Sequence, residues 1–473
     1  MERLEATDLV ACVDFGSTYT KAALVDTATG SLVATAEHRT TIESDVLDGW
    51  DACLSGLVAA DPRAADAEAL ACSSAGGGLR IGVVGNEELV TAEAGRRVAL
   101  SSGGKVVHVA AGVLDDDSLG ALQGAEPDVV LLVGGTDGGN AEVLLACAAR
   151  LALARWRLPV VVAGNVDAQP EIAAGFDASG TPYVLADNVV PRIGVLEPGS
   201  ARAAIRDMFV RHVIGGKQLS SRVTEAGTSF ASMVRGATPD VVLTAVELLA
   251  RGLDAARRGV GDVVVVDVGG ATTDVHSVVE LDPEEAALTR EVVATTPVSR
   301  TVEGDLGMRW SAPSTVEAGV AAGVVSAQDA DLLRSAAAVH RACPARLAED
   351  AADRAVEEQV AATAVTLALR RHAGRSQVVY DGNGCEVLRS GTDLREVGML
   401  VGSGGVLRHG DHRAVHRILS TATGAAPAGG WQLPRTPRVV VDHDYVLAAA
   451  GLLAAEHREA AYRLLGRLRD GHG

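Results

Sequence analysis

Two aspartates, Asp14 and Asp267, each close an apolar run and precede glycine and small hydroxyl residues. The first stretch reads Val13-Asp14-Phe15-Gly16-Ser17-Thr18-Tyr19-Thr20-Lys21, and the second Val266-Asp267-Val268-Gly269-Gly270-Ala271-Thr272-Thr273-Asp274. Val, Asp, Gly and Thr recur in register, and a duplicated unit carries more information than a lone motif. Apolar runs flank each copy, Leu9 to Val13 and Ala22 to Val25 in the first, Val263 to Val266 and Val275 to Val279 in the second. The pattern predicts two β-hairpins with tight glycine turns. Glycine allows close backbone approach, and successive turn N–H groups form a concavity for an anion. Gly16, Gly269 and Gly270 supply that backbone, while Ser17, Thr18, Thr20, Thr272 and Thr273 supply hydroxyl donors for phosphate oxygens. A carboxylate at a buried strand end needs a cationic or hydrogen-bonding companion, and hydrated Mg²⁺ is the usual companion of a nucleotide phosphate. Asp14 and Asp267 are therefore the candidate catalytic carboxylates and the candidate holders, through water, of the metal.

Lys21 adds a compact positive charge beside the first turn. Only three of the 42 basic residues are lysine (Lys21, Lys105 and Lys217), so a chain that otherwise uses arginine carries a point charge here. A third glycine-rich element follows late in the chain, Met399-Leu-Val-Gly402-Ser403-Gly404-Gly405-Val406. Its glycines are expected to let a base and ribose lie against backbone. The turn Gly134-Gly-Thr-Asp-Gly-Gly139 lies between a strand and a helix, where it reads either as a ligand loop or as a turn that needs positive φ. His409, His412 and His416 share helical spacing, but Arg408, Arg413 and Arg417 around them fit a solvated basic helix.

The elements that must position these residues alternate between short β-branched runs and longer Ala/Leu-rich stretches, which is α/β patterning. Strands are predicted at 9–14, 21–26, 80–84, 105–110, 128–133, 159–163, 263–268, 275–280 and 437–441. Helices are predicted at 46–59, 87–99, 139–154, 199–213, 240–258, 350–371 and 444–468. Residues 80–200 read as a run of strand-helix units, hence a doubly wound sheet whose strands are buried on both faces.

The length of 473 residues implies at least two large cores. A net charge of −19 opposes a general nucleic-acid or membrane surface, so neither is expected as a partner. The chain has no run of 18 apolar residues, and it opens Met1-Glu2-Arg3-Leu4-Glu5, so a cytoplasmic location is expected. Cys12, Cys53, Cys72, Cys147, Cys343 and Cys385 lie far apart without a C-x-x-C pair, the pattern of reduced core thiols. P-loop, dinucleotide and zincin signatures are absent, as is a cobalamin-binding Asp-x-His-x-x-Gly run.

The three glycine elements resemble the phosphate-1, phosphate-2 and adenosine motifs of the acetate/sugar kinase, heat-shock chaperone and actin superfamily. More narrowly, the chain resembles the glutamate mutase accessory protein family. That likeness extends to Val213-Ile-Gly-Gly-Lys217, Arg300-Thr-Val-Glu-Gly-Asp-Leu-Gly-Met308 and Asp444-Tyr-Val-Leu-Ala-Ala-Ala-Gly-Leu-Leu453, and Gln218 departs from it where another glycine is expected. The resemblance implies an actin-like, ribonuclease H-like α/β architecture. Its first domain would span residues 1–260, with an α/β insertion at about 80–200, and its second 261–473. It implies ATP/ADP and Mg²⁺ as cofactors, an adenosylcobalamin-dependent mutase as partner, and a reactivating or loading role.

If ATP binds at the hairpins, hydrolysis requires a residue that orients water, and Glu303 or Asp305, shortly after the second turn, are the candidates. A small-molecule kinase and a nucleotide-binding scaffold that hydrolyses nothing are the alternatives.

Overall fold

The computed structural model describes residues 8–75, 79–213, 219–224, 227–280, 296–381, 384–424 and 429–471. The loop Ile214 to Gln218, singled out above, lies outside them. The strands are β1 (Leu9–Phe15), β2 (Tyr19–Asp26), β3 (Ser31–Arg39), β4 (Glu68–Ser73), β5 (Leu79–Gly85), β6 (Gly104–Ala111), β7 (Val129–Leu132), β8 (Val160–Val162), β9 (Tyr183–Leu185), β10 (Val234–Ala237), β11 (Val263–Val268), β12 (Thr273–Val278), β13 (Val298–Glu303), β14 (Arg375–Asp381), β15 (Gly384–Ser390), β16 (Met399–Ser403) and β17 (Arg438–Val441). The chain forms two compact units. One comprises Met1–Thr244, Glu291–Thr296 and Ala448–Ala461; the other comprises Ala245–Arg290, Pro297–Leu447 and Tyr462–Gly473.

In the first unit one sheet runs β10-β4-β1-β2-β3, with β2 antiparallel to β1 and β3, and β4 parallel to β1 and β10. Every residue of β1 is buried, as expected of a central strand covered on both faces. The helix Val46–Ala60, capped by the Asp45 carboxylate on the Leu47 N–H, buries Leu47, Trp50, Cys53 and Leu57 in the core that holds Val13, Phe15 and Leu24. Burying Trp50 alone contributes roughly 2 kcal/mol.

A second sheet, β6-β5-β7-β8-β9, is parallel throughout and is inserted between β4 and β10. Because β5 begins this sheet from an interior position, the insertion is doubly wound, as predicted.

In the second unit the sheet runs β13-β12-β11-β16-β17, with directions that repeat those of the first sheet strand for strand. The helix Ala351–Ala373 lays Val360, Ala364, Val365 and Ala368 against Val264, Val266 and Val268. Strands β14 and β15 add a separate hairpin. The duplicated order, with its one antiparallel inner strand, is the α/β, ribonuclease H-like pattern of actin-like proteins.

Two helix predictions are corrected. The helix expected over 240–258 spans Thr238–Arg251, because Gly252, at φ 75°, turns the chain into a tight loop in which Asp254 accepts from the Ala256 and Arg257 N–H groups. The helix expected over 444–468 is three pieces, Val446–Leu453, Arg458–Leu464 and Gly466–Arg469. It starts late because Tyr445 sits at φ 59° and the Asp442 carboxylate takes the Val446 and Leu447 N–H groups. The helices expected over 87–99 and 199–213 each include a π-helical turn, Glu88–Ala92 and Phe209–Val213.

Candidate functional site

Both glycine stretches form the predicted hairpins. In the first, Asp14 pairs with Lys21 and Phe15 with Thr20, and the Gly16 N–H donates to the Tyr19 carbonyl at 3.1 Å. In the second, Asp267 pairs with Asp274 and Val268 with Thr273, and the Gly269 N–H donates to the Thr272 carbonyl at 2.9 Å. The glycine requirement is steric: a Cβ would lie 2.6 Å from the Tyr19 oxygen at Gly16 and 2.9 Å from the Thr272 oxygen at Gly269. At Gly270 a Cβ would lie 2.9 Å from the Trp310 ring.

Asp14 is 4% exposed. Its Oδ1 accepts from the Thr238 hydroxyl at 2.5 Å and the Cys72 thiol at 3.5 Å, while its Oδ2 lies toward Gly16. Thr238 begins the helix Thr238–Arg251, which directly follows β10, so the parallel edge of the sheet brings it to Asp14. Asp14 and a desolvating burial together push the Cys72 thiol up, burial being the larger cause, so this sulfur stays protonated and donates. The turn is braced by Thr40, whose hydroxyl donates to the Gly16 carbonyl at 2.7 Å and whose N–H donates to the Thr18 carbonyl. Ser17 is exposed and Thr18 and Lys21 half-buried, placing all three at the turn surface.

Thr20 and Thr273 require a correction. Both side chains are wholly buried; Thr20 meets the Thr40 hydroxyl at 3.3 Å, and the Thr273 Oγ1 has no partner. They are at the hairpin shoulders, where strand alternation turns every second side chain into the core, so they are not surface phosphate donors.

In the second unit β11 and β16 run parallel, with Asp267 opposite Ser403. This brings two of the three glycine elements together. Gly404 has φ 95°, and a Cβ there would lie 2.2 Å from the Val268 carbonyl oxygen and 2.9 Å from Asp267 Oδ1. A Cβ on Gly402 would press Leu407 and Leu419, and Ser403 is 3% exposed, so both serve packing. Only Gly405 of this element has open space around it, which narrows the surface expected for a base.

The second turn is held from below by the segment Gly304–Ser311. Met308 N–H donates to the Gly269 carbonyl, Arg309 N–H to that of Gly270, and the Ser311 hydroxyl to that of Ala271 at 2.6 Å. Thr272 donates to Asp274, which also forms an ion pair with the buried Arg300 at 2.6 Å.

Glu303 and Asp305 do come together, both on Arg371. Its guanidinium meets Glu303 at 2.6 Å and Asp305 at 2.7 and 2.9 Å. Burial raises the Glu303 carboxyl despite this bond, whereas the Arg371 hydrogen bond holds Asp305 low.

Thr40, Thr238, Arg371 and Ser311 were not singled out in the sequence, and Cys72 and Arg300 entered it only as a core thiol and as part of a family-like run. Each lies distant along the chain from the group it meets, so its role depends on tertiary pairing. The Gly134–Gly139 turn resolves toward its structural reading: Gly134, Gly135 and Gly138 have positive φ, and Asn188 and Asn165 hold the Gly135 and Gly139 carbonyls.

A family model described as MutL protein matches residues 10–468. The chain belongs to the MutL protein family. Within it, Protein MutL of Clostridium tetanomorphum is 35% identical over 466 residues, covering 97% of this chain and 98% of that one. The MutL match spans both hairpins and the glycine element at Gly402–Gly405, and it bears out the resemblance drawn from those motifs. Among solved structures, the activator of the 2-hydroxyisocaproyl-CoA dehydratase from Clostridium difficile with bound ADPNP is 10% identical, covering 96% of this chain and 95% of that one at a TM-score of 0.29. Nucleotide-free acetone carboxylase is 15% identical, covering 63% and 48% at 0.32. Likeness at these scores carries no argument about this MutL chain. Among its described residues no helix is long and apolar enough to cross a membrane.

Proposed function

We propose that this MutL-family chain is an ATP-binding, ATP-hydrolysing accessory protein for an adenosylcobalamin-dependent mutase such as glutamate mutase, working in the cytoplasm. The observation that carries this reading is the matched pair of hairpins. Each has a glycine turn and an aspartate at the same register position, with Ser17 and Thr18 at the surface of the first turn and the part-buried Thr272 in the second.

The turn N–H groups and Ser17, Thr18 and Lys21 would neutralise phosphate charge as it develops. The carboxylates fit Mg²⁺ held through water: Asp14 has one oxygen fixed by two donors and the other toward its turn, and Asp267 lies beside the backbone of Gly404. A bound Mg²⁺ would supply charge neutralisation at the β- and γ-phosphates. Glu303 is the better candidate to orient water, since burial brings its carboxyl nearer to neutral while Asp305 is clasped by both Arg371 nitrogens.

The test is ATP turnover by the full chain, alone and with purified glutamate mutase, for wild type and Asp267→Asn. Turnover that needs Asp267 and rises with the mutase is expected. Hydrolysis undiminished by the substitution removes Asp267 from the mechanism, and ATP binding without turnover under both conditions favours the scaffold.

A further inference from the structure

The inserted sheet has a cleft at the end opposite the Gly134–Gly139 turn. It is an open cleft of about 850 Å³, within the usual size of a small-molecule site, lined by Arg80 at the start of β5, by residues that follow two neighbouring helices and precede β7 and β8, and by Leu219. Three independent features converge on it.

The first is an indole with nothing to bond. Trp156 is 5% exposed and lines the cleft, yet its Nε1 has no hydrogen-bond partner. A buried N–H without an acceptor is costly, and Trp is normally placed so that this group finds one.

The second feature is backbone strain carried by side chains. Glu126 at φ 46° and Arg155 at φ 49° are two of the three non-glycine residues with positive φ among the described residues. Each follows the last turn of a helix, Asp116–Gly124 and Glu142–Leu153, where glycine is the usual occupant. Both line the cleft. Keeping side chains at two such positions costs stability, and strain of this kind collects at binding sites.

The third feature is charge. Arg80 caps the first helix end, donating to the Ala125 and Glu126 carbonyls at 2.7 and 2.8 Å, and so offsets the negative end of that helix. Arg155 and Arg157 flank Trp156, are exposed, and meet no carboxylate among the described residues. Glu126 and Asp128 also line the cleft, Asp128 accepting from the Arg80 N–H, so three arginines face two carboxylates and leave a net positive charge beside an unbonded N–H donor in a chain of net charge −19.

We infer that this cleft binds a small organic anion, with a phosphate or carboxylate head on Arg155, Arg157 and the Trp156 indole N–H, and a flat apolar body against Pro127 and Leu158. The site does not depend on the nucleotide reading, since none of its residues belongs to either hairpin.

The experiment uses the full chain labelled with ¹⁵N-tryptophan, in which Trp156→Phe identifies the Trp156 indole resonance among the four. Phenyl phosphate, benzoate and neutral benzyl alcohol are titrated separately, so that the two head groups and the bare apolar body are distinguished. Phenyl phosphate or benzoate is expected to move the Trp156 resonance saturably, benzyl alcohol is not, and Arg155→Gly with Arg157→Ala should weaken binding at least about tenfold. Glycine suits the left-handed backbone at position 155, so this variant should melt no lower than wild type, by up to about 2 °C higher, which separates lost binding from lost folding. A Trp156 resonance unmoved at millimolar anion, moved equally by benzyl alcohol, or moved equally in the double variant overturns the proposal.

Discussion

Across from Asp14, in the first hairpin, stands Lys21; across from Asp267, in the second, stands Asp274. Backbone register, turn hydrogen bond and sheet order are the same in both, so duplication preserved the geometry while the facing charge changed sign. The first hairpin carries its own cation. The second sets two carboxylates side by side and imports Arg300 from β13 to pair with Asp274. Support differs in the same way. Thr40, one residue past β3, braces the first turn, whereas the segment after β13 and Gly404 brace the second. Hairpin geometry is thus a local property, and electrostatic balance is a property of the whole sheet.

The sharpest way to break this comparison is to remove the imported cation. Arg300→Met leaves Asp274 opposite Asp267 without its buried ion pair, and such a loss costs about 4 kcal/mol. A fall in melting temperature of about 10 °C is expected by calorimetry, with Asp274→Asn in the same chain recovering more than half. Lack of recovery would mean that Arg300 acts by packing rather than by charge.

Gly404→Ala comes next. The position equivalent to Gly404 in the first sheet, one past the residue facing the aspartate, is Ser73, which keeps a buried side chain. Gly404 combines a positive φ with a Cβ position 2.2 Å from a carbonyl oxygen, so alanine should destabilise the protein by about 3 kcal/mol. Gly405→Ala, in open space, should change it by less than about 0.5 kcal/mol. Equal unfolding midpoints for the two variants in urea would contradict the close approach.

The two units should also part company in acid. His276 and His372, in the second unit, are both buried, and burial lowers each of them, His372 to about 4. Their folded pKa lies below the unfolded value, so their contribution is intact above about 6.5. It is lost as pH falls toward 4, where only the unfolded chain takes the proton. For His372 the loss amounts to about 3 kcal/mol at most. Among the described residues of the first unit, His38 and His108 are not buried. Trp310 and Trp431 should therefore report unfolding at a higher pH than Trp50 and Trp156, and His372→Gln should narrow the gap. Coincident transitions would show that the units unfold together.

How much of this was legible in the sequence follows the same division. Both hairpins were, because Asp-x-Gly between apolar runs is a local signal. So were the parallel strands of the insertion, whose Val-rich runs lack alternation because both faces are covered. Strand β3, with polar residues throughout its exposed edge, and the short β10 gave no such signal. Nor did the late start at Val446, where the cap is a carboxylate four residues upstream. Within the candidate site, sequence spacing put Asp14 and Asp267 at the same register position of their hairpins, but it took the buried Thr20 and Thr273 for surface hydroxyls. The hydroxyl pattern repeats along the chain, while the strand alternation decides which hydroxyls face the core.

A smaller loss than those of Arg300, Gly404 and His372 concerns how the first aspartate is held. Thr238 donates to Asp14 at 2.5 Å from the first residue of a helix, whereas Asp267 lies beside backbone at Gly404. Thr238→Val keeps the shape and removes one hydrogen bond to a carboxylate, worth about 1.5 kcal/mol. The Cys72 thiol remains on the same oxygen, so the carboxylate stays partly held and the loss should not exceed that figure. Thr238→Ser, which restores the donor, should return most of it. If Thr238→Val and Thr238→Ser lose equal stability by thermal unfolding, the methyl group rather than the hydroxyl matters, and the two aspartates differ less in their support than their neighbours suggest.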